Sequence, residues 1–539
     1  MLHVTGVPAS AGLAVGKVKR IKRASGGLTC VVLDSVREKA LFEAAVLLAK
    51  DELSELEERA SAQDKDIFLF QRVMLDDKGL RTEIVNAINS GNGAAAAVEY
   101  VADVYIQRIR SIDNEYLRER AADVQDACMR VVSILDGRPR DALLLKEPTI
   151  IAADEIYPSD IVSVDKGLLL GIVTAAGSVQ GHAAIISRTM GIPAIVQAGD
   201  AFLEHCDDCF AALDGFSGEV FFDPDEPTKT RFLHRIAQQQ RHEQKLQRLK
   251  STPCVTPEGK TVQLMANCSC PEDIEQAIAK SADGVGLLRS EFMLLNGKIP
   301  SEQQQYQFYT RCLKAAKGKP VTVRTFDIGA DKEVEGISHK EDNPALGLRG
   351  IRLCLSRRDL LEPQLAALLR AAVHGPLKIM FPMIATEQEF ATALQVLEDV
   401  KQQLNEKSIA FSPNVPVGTM IETPAAALLA DRIAPLCDFF SIGTNDLTQY
   451  THAADRVNPL VAGYYPQYSP AVHKLIEMAV SAAEQNGIPV SVCGEAAATP
   501  ALARQYVSMG IHTLSMAAVS LLEVKETLME SPEKTTERN

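Results

Sequence analysis

The chain has 539 residues, of which 46% are hydrophobic and 23% are charged. This composition is typical of a soluble globular protein with three or four domains. The formal net charge of −14 argues against nucleic-acid binding, because no basic stripe offsets the acidic excess. No apolar run reaches the ~20 residues needed to cross a bilayer, so we expect no membrane segment.

The N-terminus and the cysteines predict the cellular compartment. Residues 1–6, MLHVTG, lack a basic region followed by a long apolar stretch, so no signal peptide is predicted. The 11 cysteines are scattered through the chain, which is typical of reduced thiols in a reducing compartment. We therefore expect a cytoplasmic protein.

A helical block follows a short opening strand. Residues 13–18 predict the strand, and the pattern is helical from about residue 36 to residue 136. One apolar stripe with alternating spacings of four and three consists of Phe42, Val46, Ala49, Leu53 and Leu56. About four packed helices fit this region. It carries no catalytic pattern, so it is interpreted as a docking surface or as plain scaffold.

Short apolar runs alternate with turns between residues 149 and 222 and predict a compact α/β domain. The candidate strands are residues 150–153, 168–173, 194–196 and 220–222. The opening strand belongs to the same domain. Residues 1–20 and 144–225 are therefore predicted to form the α/β domain, and residues 21–143 an inserted helical subdomain.

A histidine begins a short apolar helix in this α/β domain. The segment GSVQGHAAIISR covers residues 177–188, and the helix ends near Gly191. Glycines let the backbone approach a ligand, and a helix start offers free N–H groups and a positive dipole end to an anion. His182 is therefore a candidate phosphoryl carrier. The alternative is an ordinary surface or capping histidine.

Residues 226–252 are predicted to be a linker helix. Residues 228–250 are rich in Gln, Arg and Lys, and Pro253 ends the run. A polar helix without a wide apolar face usually bridges two domains, and this one could let the histidine domain swing as a body. The alternative is an ordinary solvated helix packed on one side.

Residues 253–539 alternate between strand and helix patterns. The eight candidate strands are residues 262–266, 284–288, 321–326, 378–382, 417–421, 439–442, 490–492 and 514–516. Eight parallel strands separated by helices predict a (β/α)₈ barrel of the TIM type. The whole chain is thus predicted to be an α/β multidomain protein.

Polar side chains lie where these strands end, and a barrel forms its active site at that face. They are Arg289, Arg324, Glu422, Asn445, Asp446 and Cys493. Two arginines suit a ligand that carries both phosphate and carboxylate. Glu422 and Asp446 offer the oxygen ligands that magnesium prefers. Any single one of these residues could instead belong to a structural ion pair.

The barrel half also contains a series of long motifs. They are GLLR at 286–289, VRTFDIG at 323–329, NPALG at 343–347, MFPMI at 380–384, MIETPAA at 420–426, SIGTNDLTQY at 441–450 and CGE at 493–495. In this order they resemble the motifs of phosphoenolpyruvate (PEP)-utilising enzymes, and of enzyme I of the bacterial sugar phosphotransferase system in particular. The resemblance spans essentially the whole chain, including ERAADV at 119–124.

The resemblance implies transfer of a phosphoryl group from PEP to a histidine of the enzyme and then to a histidine of the small carrier protein HPr, with release of pyruvate. It also implies a Mg²⁺ cofactor, a homodimer formed through the barrel, a swivelling histidine domain and a helical subdomain that docks HPr. The residues it assigns are His182 as the phosphohistidine, Cys493 as the proton donor, Arg289, Arg324, Asn445, Asp446 and Arg456 as substrate-binding residues, and Glu422 and Asp446 as magnesium ligands.

The histidine motif departs from the family pattern, which usually reads Gly-Gly-x-Thr-Ser-His. Ser178 replaces a glycine, and Gln180 and Gly181 replace the Thr–Ser pair, whose hydroxyls could orient the imidazole or contact the phosphate. A regulatory or adaptor homologue with weak transfer is therefore the alternative. A dikinase or PEP synthase is disfavoured, because no room remains before His182 for an ATP-binding module. Residues 534–539 are expected to be disordered.

Overall fold

The structure is a computed structural model that describes residues 1–21, 34–59, 65–111, 115–137, 145–204, 206–294, 299–329, 341–466 and 468–531. The charged end of the chain, residues 534–539, lies outside these ranges. The chain divides into two compact units, Met1–Arg241 and His242–Asn539. Within the described ranges, no helix combines the length and the apolar character needed to cross a membrane.

The first unit contains an eight-stranded mixed sheet. Its strands are β1 (Leu2–Thr5), β2 (Val7–Ser10), β3 (Leu13–Ile21), β4 (Thr149–Ala153), β5 (Leu169–Thr174), β6 (Ala194–Val196), β7 (Phe210–Asp214) and β8 (Glu219–Phe222). The strand order is β1-β8-β7-β3-β4-β5-β6-β2. The five strands predicted from the sequence are confirmed with shifted ends. Strands β1, β2 and β7 were missed. Strands β1 and β2 include exposed residues, so neither forms a continuous apolar run like those of β6 and β8.

Helices form the block between β3 and β4. They are α1 (Ser35–Arg59), α2 (Lys65–Leu75), α3 (Lys78–Asn89), α4 (Ala94–Arg110) and α5 (Glu115–Leu135). The predicted apolar stripe of α1 is buried along its whole length, in the core that these five helices share. The turn between α3 and α4 contains Gly91 at φ 96°, a conformation that glycine adopts without steric cost. The predicted helical block is therefore confirmed, with five helices in its described residues rather than about four.

Three further helices complete this part of the chain: α6 (Pro158–Val162), α7 (His182–Met190) and α8 (Glu226–Leu249). Helix α7 begins at the predicted histidine and ends at Gly191, whose φ of 68° forms a left-handed cap. Helix α8 is the predicted polar helix, and the division between the two units falls within it. Arg235 of α8 contacts Asp214 at 2.6 Å, whereas Lys245 contacts Glu526 at 2.5 Å. The first part of α8 is thus anchored to the first unit, and its last part to the second unit.

The second unit is a closed barrel of eight parallel strands. The strands are β9 (Gln263–Cys268), β10 (Val285–Arg289), β11 (Val321–Arg324), β12 (Leu377–Phe381), β13 (Val417–Ile421), β14 (Phe439–Ile442), β15 (Val490–Val492) and β16 (Thr513–Met516). The predicted (β/α)₈ barrel is therefore confirmed. All five residues of β13 are buried, as expected for a parallel strand covered on both faces.

Helices surround these strands and share one large apolar core with them. They are α9 (Pro271–Ala279), α10 (Glu302–Ala315), α11 (Ile351–Ser356), α12 (Arg358–Ala371), α13 (Glu387–Glu406), α14 (Pro424–Leu428), α15 (Ala430–Ile433), α16 (Thr444–His452), α17 (Pro470–Asn486), α18 (Pro500–Ser508) and α19 (Leu521–Met529). Local signals fix several helix starts. Before α13, for example, Thr386 and Glu389 form a reciprocal capping box. The strand ends therefore lie on a rigid scaffold.

Candidate functional site

His182 is the first residue of α7 and lies beside a small cavity. The preceding Gly181 has no side chain with which to cap the helix, so the first N–H groups of α7 stay available to an anion. The cavity has a volume of about 50 Å³ and is also lined by Asp123, Gly177 and Ser187. The His182 side chain is 18% exposed. The imidazole is therefore held by its surroundings but still reachable.

Asp123 of α5 approaches the imidazole of His182. Its Oδ2 lies 2.9 Å from His182 Nδ1, and the Asp123 side chain is only 1% exposed. Arg120 Nη1 lies 3.3 Å from the same carboxylate oxygen, and the Arg120 guanidinium sits 4.7 Å from the ring centre of Phe70. Sequence reasoning noted Asp123 only as part of a motif. The structure places it against the candidate phosphohistidine.

The loop before His182 is fixed by contacts other than the missing Thr–Ser pair. The Gln180 backbone N–H donates to Ser178 Oγ at 3.1 Å, and Arg188 Nη2 donates to the Val179 carbonyl at 2.9 Å. Gln197 Nε2 donates to the Gly177 carbonyl at 2.9 Å. The residues that depart from the family motif therefore lie in a loop that this chain orders in its own way.

Arg324 ends β11 and is buried among carboxylates at the barrel mouth. Its Nη2 lies 2.5 Å from Glu291 Oε1 and its Nη1 lies 3.1 Å from Asp327 Oδ2. Burial alone lowers the pKa of Arg324, but the carboxylates of Glu291 and Asp327 outweigh it and raise the pKa. Its Nε is buried without a hydrogen-bond partner among the described residues, so the guanidinium retains a free donor.

Arg349 is a residue of the mouth that sequence reasoning missed. It lies just before α11, and its Nη2 donates to Asp327 Oδ2 at 2.9 Å. Its Nη1 donates to Asp446 Oδ1 at 3.2 Å and to the Tyr450 hydroxyl at 3.0 Å. Burial lowers the pKa of Arg349, but Asp327 and Asp446 raise it by more. Arg349 follows no predicted strand, so the search at strand ends could not find it, although the neighbouring NPALG motif lies in the same segment.

Glu422 and Asp446, the predicted magnesium ligands, lie in the same charged network. Glu422 Oε1 accepts from the Met383 N–H at 2.6 Å, while Glu422 Oε2 is buried without a hydrogen-bond partner in the part of the chain described. Burial, with the charges of Asp446 and Asp327, raises the pKa of Glu422 to about 8. Arg456 Nη1 lies 3.5 Å from Asp446 Oδ2. An orphaned carboxylate oxygen beside a second carboxylate fits a hard cation.

Protein groups alone do not complete a metal site here. Among the residues that the structure describes, no cluster of three or more His, Cys, Asp or Glu side chains could hold a metal ion. Magnesium, however, commonly binds through one or two carboxylates together with water and substrate phosphate oxygens. Two carboxylates at the mouth match that requirement.

Cys493 and Asn445 follow the neighbouring strands β15 and β14, and Arg289 ends β10. The Cys493 thiol donates to the Ile442 carbonyl at 3.5 Å, and burial raises its pKa to about 11. Asn445 Oδ1 accepts from the Glu495 N–H at 3.1 Å. Arg289 ends β10 directly opposite Arg324 in register. The mouth therefore combines arginine, carboxylate and thiol groups, which can bind an anionic substrate and supply a proton.

Three segments of the chain match families of PEP-utilising enzymes. Residues 5–120 match "PEP-utilising enzyme, N-terminal", and residues 145–218 match "PEP-utilising enzyme, mobile domain". Residues 243–532 match "PEP-utilising enzyme, PEP-binding domain". The mobile-domain match contains His182, and the PEP-binding match contains every predicted residue of the barrel mouth.

Similar proteins cover almost the whole chain. The phosphoenolpyruvate-protein phosphotransferase of Bacillus sp. (strain S) is 38% identical over 534 residues, covering 97% of this chain and 92% of that protein. The protein of the same name from Geobacillus stearothermophilus is also 38% identical, with the same coverage of both chains. That of Bacillus subtilis (strain 168) is 36% identical, over 97% of this chain and 94% of its own length.

Proposed function

Because the chain belongs to the family of PEP-utilising enzymes, we propose that it is a phosphoenolpyruvate-protein phosphotransferase that carries the phosphoryl group on His182. One observation carries the proposal. The same chain holds a reachable histidine at a helix start and a barrel mouth in which Arg324, Arg349, Glu422 and Asp446 are joined in one buried charge network. A binding protein without catalytic use has no need of both.

The barrel mouth binds and polarises PEP in this proposal. Arg289, Arg324 and Arg456 neutralise the phosphate and carboxylate of the substrate, since planar guanidinium groups grip both with paired hydrogen bonds. Asn445 and Asp446 orient the substrate. The bond between phosphorus and the enol oxygen then breaks as a bond forms between phosphorus and a His182 ring nitrogen. Phosphoryl transfer of this kind depends chiefly on positioning and charge neutralisation.

Cys493 is the proposed proton donor to the enolate that remains. Because its pKa is raised to about 11, the thiol keeps its proton at neutral pH and can deliver it to the methylene carbon, giving pyruvate. The Cys493 thiol also lies in a mouth where Arg289 and Arg324 lower its pKa against the effect of burial. These cations stabilise the thiolate left behind.

Glu422 and Asp446 are the proposed ligands of Mg²⁺. Glu422 Oε2 is buried without a hydrogen-bond partner among the described residues, so it is free to coordinate the ion and would be satisfied by doing so. Bound magnesium would neutralise the phosphate oxygens of the substrate. Arg349 and Arg456 hold Asp446 from two sides, so its carboxylate is oriented before the substrate arrives.

The helical subdomain is the proposed docking site for an HPr-type carrier protein. Leu69 and Val73 of α2 are both exposed and lie one helical turn apart. The buried face of α2 packs on the helical core with Phe68 and Leu75. Asp66 in the first turn of α2 adds acidic charge. An apolar patch next to an acidic residue suits a partner whose docking face combines apolar and basic groups.

Two further assignments follow from the same proposal. Helix α8 is the proposed pivot between the units, because each of its ends is fixed to a different unit. A homodimer through the barrel is supported by exposed apolar side chains at Val457, Leu460 and Tyr464, of which Leu460 is 88% exposed. The cytoplasmic location stays a prediction.

Labelled PEP tests the proposed function. Full-length protein is incubated with ³²P-labelled PEP and Mg²⁺, with and without HPr, and the His182→Ala variant is the control. We expect acid-labile, base-stable label on the wild type, discharge of that label onto HPr, and no label on His182→Ala. A wild type that takes no label, or a variant labelled at the parental rate, overturns the proposal. Label that never reaches HPr favours the adaptor alternative.

A further inference from the structure

The pair formed by His182 and Asp123 joins the α/β domain to the inserted helical block. We infer that Asp123 is the positioning residue of the phosphoryl-accepting histidine: it fixes a hydrogen on Nδ1 and leaves Nε2 as the attacking nitrogen. The inference rests on the proposed function, because it takes His182 as the group that is phosphorylated. It adds a positioning role for a residue of α5.

The group that faces Nδ1 determines which ring nitrogen carries the hydrogen. His182 Nδ1 lies 2.9 Å from Asp123 Oδ2, and an ionised carboxylate can only accept hydrogen bonds. A bare nitrogen lone pair at this distance would be repelled, so Nδ1 carries the hydrogen. In a neutral imidazole the lone pair then lies on Nε2. Nε2 is therefore the nucleophile.

The hydrogen bond is not yet aligned in the resting arrangement. Nδ1 makes no hydrogen bond of good geometry with any described residue, although the 2.9 Å separation from Asp123 is that of an ion pair. A rotation of the imidazole about its side-chain bonds would be needed to align the two groups. Such loose geometry is common in free enzymes and tightens when substrate binds.

Arg120 supplies a cation beside the buried carboxylate. Asp123 is 1% exposed, and a buried carboxylate is costly without a compensating cation. Arg120 lies 3.3 Å from Asp123 Oδ2 and is itself packed over Phe70. Phe70, Arg120 and Asp123 form a continuous chain of contacts from the helical core to the imidazole. Asp123 is thus held in place rather than free to follow the ring.

Asp123 also supplies charge during transfer. The Nε2 lone pair forms the N–P bond while the P–O bond of PEP breaks and its electron pair stays on the enol oxygen. The ring keeps its Nδ1 hydrogen and becomes positively charged, and the adjacent carboxylate stabilises that charge. Passing the phosphoryl group to a carrier histidine returns the ring to its neutral form.

This arrangement explains how the chain manages without the motif hydroxyls. Gly181 offers no side chain to the imidazole, and the Gln180 N–H is used by Ser178. The orienting group comes instead from α5, outside the histidine loop. The helical block therefore contributes to the reacting site as well as to the proposed docking surface.

Nuclear magnetic resonance tests the tautomer without any need for activity. The variants are Asp123→Ala and Asp123→Asn, and Glu147→Gln removes a carboxylate from an exposed pair with Lys17 as the matched control. In protein labelled with ¹⁵N-histidine, wild type and Glu147→Gln should show the Nδ1–H tautomer of His182. Asp123→Ala should show a mixture of tautomers. A wild-type ring with its hydrogen on Nε2 overturns the inference.

Kinetics separate positioning from substrate binding. Phosphorylation of His182 by PEP should slow on the order of a hundredfold in Asp123→Ala, with the KM for PEP unchanged because the barrel mouth is untouched. Asp123→Asn, which keeps the shape and an acceptor oxygen but loses the charge, should fold and show an intermediate rate. Asp123→Glu should recover part of the lost rate.

The two experiments give distinguishable failures. Wild-type rate together with the wild-type tautomer in folded Asp123→Ala or Asp123→Asn overturns the inference. If wild type takes no phosphate from PEP but Asp123→Ala still loses the Nδ1–H tautomer, the proposed function fails and the positioning contact stands. A purely structural Asp123 would lower thermal stability while leaving tautomer and rate in the folded fraction unchanged, which also contradicts the inference.

Discussion

Replacing Arg349 by alanine should destabilise the barrel measurably. Arg349 is buried and makes three contacts of 2.9 to 3.3 Å with Asp327, as well as one of 3.2 Å with Asp446. Breaking a buried ion pair by removing one partner costs about 3–5 kcal/mol. Both carboxylates keep a second cation, since Arg324 lies 3.1 Å from Asp327 and Arg456 lies 3.5 Å from Asp446. We therefore expect a loss near ~3 kcal/mol.

Urea unfolding of the barrel unit measures this loss, and a double-mutant cycle isolates its cause. The cycle compares Arg349→Ala, Asp327→Ala and the double variant, and a coupling energy of about 2 kcal/mol or more is expected for side chains in direct contact. Arg358→Ala is the matched control, because Arg358 pairs with Glu362 and Asp399 at the surface. An exposed pair of this kind contributes roughly 0–1 kcal/mol.

Two outcomes would refute this reasoning. Equal losses for Arg349→Ala and Arg358→Ala would mean that burial of Arg349 adds nothing to its ion pairs. A coupling energy near zero would mean that the cost comes from the cavity left by the side chain rather than from Asp327. PEP turnover should also fall in Arg349→Ala, because Asp446 loses one of the two cations that orient it.

Two other predictions concern the barrel mouth, and a third concerns the histidine loop. Because burial raises the folded pKa of Glu422 to about 8, above the usual 4.5, the unfolded chain binds fewer protons than the folded chain between about pH 5 and pH 8. The free energy of unfolding should therefore fall across this range, by at most ~1.4 kcal/mol per pH unit. In urea melts at a series of pH values, Glu422→Gln should remove this part of the pH dependence. Cys493→Ala should slow pyruvate formation from PEP roughly 100-fold or more; an unchanged rate rules out the thiol as the acid. The double substitution Gln180→Thr with Gly181→Ser should change the initial rate of histidine phosphorylation by less than about tenfold, ~1.4 kcal/mol; a gain above about a thousandfold would show that the natural motif is disabled.

The geometry near Gly181 limits what that double substitution can restore. A Cβ at this position would lie 3.2 Å from the Ser178 carbonyl oxygen, which is tight enough to require a small shift of the loop. The backbone of Gly181, at φ −60°, otherwise accepts any residue. The serine hydroxyl would therefore arrive at slightly altered geometry beside an imidazole that already has Asp123 as a partner.

The barrel could be predicted from the sequence because the apolar run of each strand is a local feature of the chain. Residues 417–421 form a continuous apolar run that ends directly at Glu422, and the structure shows a fully buried strand there. Parallel strands buried on both faces produce such runs, and the first polar residue after each one marks the mouth. The same logic placed Arg289, Arg324 and Cys493 at strand ends. Their catalytic roles stay predictions.

Residues that act across the fold could not be found in this way. Arg349 reaches Asp327 from 22 positions away along the chain, through a segment that has no helical or strand period. Strand β7 was missed because it begins with an exposed Phe210 and follows a turn-rich stretch, which hides its apolar run. In each case the decisive partner is set by tertiary packing, and no spacing of residue types encodes it.

Asp123 shows why a motif around a catalytic residue can mislead. Judged by the loop alone, Gln180 and Gly181 suggest a weakened histidine site, since two hydroxyls are absent. The structure instead brings a buried carboxylate to Nδ1 from α5, and a carboxylate stabilises a positively charged ring better than a neutral hydroxyl does. Loss of the hydroxyls therefore does not by itself imply loss of transfer. On the inference that Asp123 positions the ring, the packing of the helical block affects the rate at which the histidine reacts, so mutations in the core around Phe70 should lower the phosphorylation rate even though they lie outside the α/β domain.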